Sequence, residues 1–159
     1  MRVTLFVALA VLVGCGQPDE PTTVEVDDGP DVLVDPEPSD AGPVDPAAFA
    51  GEWTVDLLAG ESDSVLTTVR FMAGEPDSPV GWTVQYPHLD EPVLAQDVMA
   101  RGDALVIRYE SFPSAFREGL MVLEPTTRSR VDGDAMTGTY EASYSNGDAI
   151  AGRLRGRRL

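Results

Sequence analysis

The two side chains best suited to covalent or acid–base chemistry in this 159-residue sequence are its single cysteine and its single histidine. Nucleophilic catalysis by serine or cysteine needs a base such as His88 beside the nucleophile. His88 lies between Pro87 and Leu89 at a predicted strand end, which is typical of a solvated loop histidine. The sequence lacks Gly-x-Ser-x-Gly, Gly-rich phosphate-binding and Cys-x-x-Cys motifs. We therefore expect no catalytic residue, metal ion or cofactor.

Two short motifs that contain aspartate invite a binding interpretation. Asp132-Gly133-Asp134 places two carboxylates at a predicted hairpin tip, where a calcium ion is the alternative to a plain turn. Arg101-Gly102-Asp103 spells an adhesion tripeptide, but the same three residues make an ordinary tight turn. We interpret both motifs as turns that connect strands.

The N-terminus has the pattern of an export signal. Arg2 precedes an almost wholly apolar run, Val3–Val13, which is too short to span a bilayer as a helix. Leu12-Val13-Gly14-Cys15 follows, and it resembles the lipobox of bacterial lipoproteins. The resemblance implies that residues 1–14 are a signal peptide and that Cys15 carries acyl chains such as palmitate. An ordinary secretory signal with a chance cysteine is the alternative.

The lipobox also predicts where the protein resides. Several acyl chains on Cys15 give effectively permanent membrane attachment, because each buried methylene contributes about 0.8 kcal/mol. Gly16 and Gln17 follow the cysteine, without the aspartate that retains enteric lipoproteins in the inner membrane. We therefore expect a cell-envelope protein, in the outer rather than the inner membrane if the host is Gram-negative.

Residues 15–46 have the composition of a disordered linker. From residue 16 to residue 46 the sequence contains ten acidic residues, seven prolines and no basic residue. Proline interrupts helices and sheets, and unbalanced charge opposes burial. We predict a tether, with binding of cations or a basic partner as the alternative. Val32-Leu33-Val34 is its one apolar patch.

Residues 47–159 are predicted to form one all-β domain. Apolar and polar residues alternate in most of this region, which indicates strands with one buried face. Short Gly- and Asn-containing turns imply an antiparallel up-and-down meander, which removes its edges by closing into a small barrel. A helical turn is predicted at residues 114–118. About eight strands are expected, at roughly 49–58, 65–72, 82–87, 93–100, 104–111, 120–131, 135–144 and 148–156.

Phe49-Ala50-Gly51-Glu52-Trp53 resembles the Gly-x-Trp opening of lipocalin and calycin barrels. The predicted last hairpin, 134–155, also resembles the closing hairpin of small bacterial barrels. The resemblance implies that Trp53 plugs the closed end and that an arginine of the last strand, Arg153 or Arg155, packs across it.

Two groups of side chains are candidates for binding. The last strand aligns three arginines that either pair with carboxylates or bind an anionic partner: Arg153, Arg155 and Arg157. Arg158 lies beside them. The aromatic residues are expected either to fill the core or to line a ligand cavity: Trp53, Phe71, Trp82, Tyr86, Tyr109 and Tyr140.

These patterns favour a non-enzymatic binding module for a small apolar ligand. The alternative is a protein-interaction module such as an inhibitor of an exported protease, because bacterial metalloprotease inhibitors use a comparable small barrel. An enzyme that depends on His88 is a third hypothesis. A cavity on the order of several hundred cubic ångströms favours the ligand, and a filled interior with an exposed apolar patch favours the protein partner. The acidic charge argues against nucleic acid.

Overall fold

The computed structural model describes residues 42–159. The predicted signal peptide, Cys15 and the linker up to residue 41 lie outside the described residues. A 3-10 helix, Pro46–Phe49, precedes the strands. The strands of the described part are β1 (Glu52–Ala59), β2 (Val65–Met72), β3 (Thr83–Gln85), β4 (Val93–Arg101), β5 (Ala104–Tyr109), β6 (Phe112–Pro113), β7 (Met121–Asp132), β8 (Ala135–Tyr144) and β9 (Ala149–Arg158).

Eight of these strands form a closed antiparallel barrel. Their order is β5-β4-β3-β2-β1-β9-β8-β7, and pairing of β5 with β7 completes the ring. The two-residue strand β6 pairs with the start of β7. Closure gives every long strand two partners, so no long edge remains for another chain to pair with. The predicted all-β meander that closes into a small barrel is therefore confirmed.

Alternation along each strand builds one core inside the barrel. In β2, Val69 and Phe71 are buried while Arg70 between them is exposed. Each large apolar side chain that leaves water contributes about 1.5–3 kcal/mol to folding. The largest fully buried side chains are Trp53, Trp82, Phe49, Leu105 and Ile107.

The 3-10 helix closes one end of the barrel, which we call the closed end. Asp45 caps the helix by accepting a hydrogen bond from the Ala47 amide at 2.9 Å. Phe49 then packs against Trp82, with ring centroids 6.4 Å apart. The Val44 amide donates to the Gly102 carbonyl at 2.9 Å. Contacts with the barrel therefore begin before residue 47, and the strand predicted from residue 49 starts later, at the first residue of β1.

The opposite end, which we call the open end, departs more from the sequence prediction. The helical turn predicted at 114–118 is wrong, because this segment forms bends and a turn. The Ser114 hydroxyl accepts hydrogen bonds from the Phe116 and Arg117 amides, both at 3.1 Å, and so replaces helical bonding. Strand β3 ends earlier than predicted, because the chain turns at Tyr86 and the Leu89 amide donates to its carbonyl at 3.2 Å.

The tripeptides Asp132-Gly133-Asp134 and Arg101-Gly102-Asp103 occupy the turns β7–β8 and β4–β5. Gly133 and Gly102 have φ angles of +58° and +60°, which glycine adopts without strain. Residues 42–159 contain no cluster of histidine, cysteine, aspartate and glutamate side chains suited to a metal ion. In the same range, no helix has the length and hydropathy needed to cross a membrane.

Candidate functional site

A cavity of about 80 Å³ lies inside the barrel and reaches the open end. Its inner wall is almost entirely apolar, with Val55, Met136 and Leu154 among the lining side chains. These residues come from strands β1, β8 and β9, whose inward faces converge inside the barrel. The volume exceeds the roughly 10–15 Å³ that one water needs and is below the ~300–1,000 Å³ of common ligand pockets. The barrel is therefore neither fully filled nor widely hollow, and its cavity is smaller than the volume that the sequence analysis expects of a ligand-binding barrel.

The six aromatic candidates divide between the cavity and the closed end. Phe71, Tyr86, Tyr109 and Tyr140 line the cavity. The two tryptophans lie outside it, fully buried towards the 3-10 helix. The indole of Trp53 donates to the Phe49 carbonyl at 2.8 Å, and the indole of Trp82 donates to the Glu75 carbonyl at 2.7 Å. The tryptophans thus hold the closed end in place, and the tyrosines determine the chemistry of the cavity.

Tyrosine hydroxyls contribute polar groups to this apolar cavity, beside the hydroxyls of residues such as Thr127 and Ser129. Burial raises the pKa of Tyr86, Tyr109 and Tyr140 above the usual tyrosine value, so all three stay neutral at physiological pH. The Tyr140 hydroxyl donates to the Leu58 carbonyl at 3.0 Å. A side-chain hydrogen bond with Thr127 offsets part of the rise in the pKa of Tyr109. The cavity can therefore offer neutral hydrogen-bonding groups to a guest.

The segment from Ser114 to Leu120 covers the mouth of the cavity, and we call it the mouth loop. The Ser114 amide donates to the Leu120 carbonyl at 2.8 Å, which closes the base of the loop. Phe116 lines the cavity although it is 52% exposed. An apolar ring at a solvent-exposed rim is a candidate first contact for a ligand.

Arg117 ties the mouth loop to the turn between β8 and β9. Its guanidinium forms an ion pair with Asp148 and lies 4.8 Å from the centroid of the Tyr144 ring. A hydrogen bond from Asn146 and the contact with Arg117 lower the pKa of Asp148. Because the ion pair is exposed, it holds the loop only weakly. The loop can therefore be displaced at modest cost.

His88 lies at the mouth and is exposed. Its Nε2 is 3.1 Å from the Pro113 carbonyl oxygen, an arrangement in which the imidazole donates. Its ring also meets Tyr86 edge-on, with centroids 5.6 Å apart. In the described part of the chain the imidazole bonds to a backbone carbonyl, and no nucleophile is within hydrogen-bond distance of it. This geometry supports a structural loop histidine better than a general base.

The arginine that covers Trp53 is Arg158, and the expectation that it is Arg153 or Arg155 needs correction. The Arg158 guanidinium lies 4.3 Å from the centroid of the Trp53 ring. The two residues are direct partners in the β1–β9 register, which places both on the inner face. Arg153 and Arg155 have the opposite parity and point outwards, where they pair with Asp63 and Asp56.

The sequence nevertheless contained a signal for Arg158. Leu154 is buried, so alternation along β9 also turns residues 156 and 158 inwards. The outward set, Arg153, Arg155 and Arg157, lies on one face of β9 as predicted from its spacing.

Comparisons with protein-family models, curated protein sequences and solved structures found no match for this chain. A function for the barrel must therefore be inferred from the cavity and its surroundings.

Proposed function

We propose that this protein is a lipid-anchored envelope lipoprotein whose barrel holds a small apolar ligand. The observation that carries the proposal is the cavity at the open end, which combines an apolar wall with neutral tyrosine hydroxyls. Such a site stabilises a guest mainly by removing its surface from water, and a hydroxyl fixes its orientation. The proposal includes no catalytic step.

The cavity volume limits the ligand. About 80 Å³ suits a molecule of few non-hydrogen atoms, or the end of a slender chain that emerges past the mouth loop. Charged groups are disfavoured inside, because the described lining contains no aspartate, glutamate, lysine or arginine side chain that could pair with them. The proposed ligand is therefore uncharged where it enters the barrel and carries at most one hydrogen-bonding group there.

A lipocalin-like interpretation of the barrel supports ligand binding. The Gly51-Glu52-Trp53 opening and an arginine of the last strand over the tryptophan match the resemblance noted in the sequence. Eight antiparallel strands in meander order also fit it. Eight-stranded barrels of that group hold one small ligand inside.

Binding is tested with benzene as a small apolar probe and with a matched pair of substitutions. Ala142→Leu fills part of the cavity, whereas Ala151→Leu adds the same side chain to an exposed position on the next strand. We expect benzene to shift the signals of cavity side chains in NMR spectra, with roughly tenfold weaker binding in Ala142→Leu, or about 1.4 kcal/mol. Ala151→Leu should bind as the unmodified protein does. Equal binding by both variants, or none by the unmodified protein, contradicts the proposal.

Native mass spectrometry of the protein purified from its own membranes searches for the natural ligand. We expect a mass increment from a small molecule that organic extraction removes. A second sample of Ala142→Leu should lack that increment. An increment that persists in this variant indicates binding elsewhere.

The lipid anchor is tested at Cys15. Cys15→Ser and treatment with globomycin, an inhibitor of lipoprotein signal peptidase, should both change the fractionation of the protein. With the anchor intact, we expect the protein in the envelope fraction, more in the outer than in the inner membrane of a Gram-negative host. Unchanged fractionation in both experiments contradicts lipidation of Cys15.

A protein-interaction module, such as an inhibitor of an exported protease, is the second candidate function. The observation that favours it is a set of exposed apolar side chains in elements that meet the open end: Val65, Leu66, Phe116, Met121 and Leu123. We expect Phe116→Asp to abolish inhibition of a susceptible exported metalloprotease while leaving the barrel folded. If Phe116→Asp still inhibits the protease, the open end is not part of the interface.

A further inference from the structure

The side chain of Tyr86 brings an unused hydroxyl group into the cavity. Tyr86 follows β3, where Val84 is buried, and alternation turns both side chains inwards so that both line the cavity. Tyr86 packs against the core, and burial raises the pKa of its hydroxyl above the usual tyrosine value. Within residues 42–159, this hydroxyl makes no hydrogen bond, because the bonds of Tyr86 with its neighbours involve its backbone carbonyl.

Two neighbouring tyrosines differ from Tyr86 in this respect. The Tyr140 hydroxyl donates to the Leu58 carbonyl at 3.0 Å. Tyr109 shares a side-chain hydrogen bond with Thr127. Both of these hydroxyls are therefore already bonded to the wall of the barrel, whereas that of Tyr86 is free to bind a guest.

Contacts at the mouth hold Tyr86 in place before any ligand arrives. The centroid of its ring lies 4.6 Å from that of Phe112 and 5.6 Å from that of His88. Its backbone carbonyl accepts hydrogen bonds from the Leu89 amide at 3.2 Å and from the Gln85 side chain at 3.0 Å. Because the ring and the backbone are both held, the hydroxyl is presented to the cavity in a fixed position.

The free hydroxyl defines the chemistry of the group that is missing from this cavity. Removing a hydroxyl from water without a hydrogen bond costs free energy, so buried polar groups in proteins are almost always bonded. A neutral phenol has an O–H to donate, and its complement is an acceptor. The lining has no lysine or arginine to neutralise a carboxylate, so an uncharged oxygen fits better than a charged one.

We propose that the Tyr86 hydroxyl donates a hydrogen bond to an uncharged oxygen of the ligand, which is an apolar molecule that carries a carbonyl group where it enters the barrel. This inference rests on the proposed function, because it requires the cavity to hold a ligand. The apolar wall then selects for hydrocarbon surface, and Tyr86 selects for the oxygen. A pure hydrocarbon leaves the hydroxyl unpaired and gains no such bond.

Cyclopentanone and methylenecyclopentane test this preference, because they share one shape and differ only in a C=O or a C=CH₂ group. The full chain is titrated with each probe, and the NMR signals of cavity side chains give the dissociation constants. We expect Tyr86→Phe to weaken cyclopentanone binding by roughly tenfold, which is the contribution of one neutral hydrogen bond. Methylenecyclopentane should bind equally to both proteins. Comparing the two proteins cancels the different hydration of the two probes.

The carbonyl stretching band of bound cyclopentanone reports on the hydrogen bond directly. We expect a lower frequency in the unmodified protein than in Tyr86→Phe or in hydrocarbon solution, because donation of an O–H to a carbonyl lowers this frequency. Two variants that remove another hydroxyl from the same cavity provide the comparison. Tyr144→Phe acts at the end of β8, under the Arg117 guanidinium, and Ser129→Ala acts on β7. The low-frequency band should persist in both.

Three results overturn the proposal, and each has a different meaning. If neither probe binds, the cavity holds no ligand and the proposed function fails as well. If both probes bind but the carbonyl band in the unmodified protein matches that in hydrocarbon solution, the cavity accepts apolar molecules without using Tyr86. This measurement needs no substitution, so it decides the question even if Tyr86→Phe does not fold. If the band shift disappears in Tyr144→Phe or Ser129→Ala and persists in Tyr86→Phe, another hydroxyl binds the oxygen.

Discussion

Replacement of Arg158 by alanine should destabilise the barrel more than replacement of any other arginine in the last strand. Its guanidinium covers the Trp53 ring at 4.3 Å. It also donates to the carbonyls of Ala48, at 3.0 Å, and Ala50, on either side of the last residue of the 3-10 helix. The side chain is 29% exposed, so most of these contacts are shielded from water. Arg158 therefore links the helix to the first and last strands.

The magnitude follows from these contacts. A cation over an aromatic ring contributes about 0.5–2 kcal/mol, depending on how far it is desolvated. Hydrogen bonds to charged groups contribute about 1.5–3 kcal/mol. Because both come from one side chain, they overlap, and we expect a loss of about 2–4 kcal/mol. A small domain has only about 5–15 kcal/mol of stability, so this loss is large.

Urea unfolding, followed by tryptophan fluorescence and by circular dichroism, measures the effect. Arg157→Ala is the control, because Arg157 is exposed on the outer face, and it should change the free energy of unfolding by less than about 0.5 kcal/mol. Arg158→Lys should lower the free energy of unfolding by an intermediate amount, since lysine keeps the positive charge but lacks the planar guanidinium group. If Arg158→Ala and Arg157→Ala change the free energy of unfolding equally, the contact between Arg158 and Trp53 does not stabilise the closed end.

Three further predictions concern packing and protonation. Gly138→Ala should cost about 1–3 kcal/mol in urea unfolding, since its Cβ would lie 2.2 Å from a carbonyl oxygen of β7; a neutral result implies that the strands can separate. Tyr86 and Tyr109 should ionise above the usual tyrosine pKa of about 10, measured by absorbance at high pH. Since their pKa values are raised on folding, the two tyrosines stabilise the protein fully below the usual tyrosine pKa, and this stabilisation is lost as the pH rises through their pKa values in the folded protein. Titration at the usual tyrosine pKa would show instead that their hydroxyls are exposed to water. Asp148 has a lowered pKa, so its tie to Arg117 should be complete at neutral pH and should be lost only as pH falls below the ordinary value of 3.8. The carbon signal of its carboxyl group measures this, and Asp148→Asn should remove the pH-dependent step from the mouth loop.

Alternation was enough to predict the strands, because each has one face in the core and one in water. Val69 and Phe71 illustrate this in β2, where the intervening Arg70 is exposed. Pairing order followed from the short turns, which leave neighbouring strands few alternatives. Period-two patterning does not reveal local irregularities, such as the one between Leu123 and Thr126, where the register of β7 against β8 shifts.

The candidate site was predicted less well, for identifiable physical reasons. Ser114 sits in a sequence that suits a helical turn, yet its hydroxyl binds two backbone amides and favours a bend. Arg158 was noted only as a neighbour of the outward arginines, although parity with buried Leu154 turns it inwards. The cavity volume depends on how the mouth loop covers the barrel, which composition and spacing do not determine.

Both ends of the described chain meet at the same pole of the barrel. The Leu159 amide donates to the Glu52 carbonyl at 2.9 Å, close to where Val44 is bonded to the turn between β4 and β5. A reporter protein fused after Leu159 therefore leaves the mouth unobstructed, whereas one inserted at Asn146-Gly147 stands at its rim. The hairpins around the opening can change in length or sequence without changing the contacts of the chain ends at the opposite pole. The proposed ligand would thus be recognised at one pole of this scaffold while the described chain ends lie at the other, so the two poles can diversify independently.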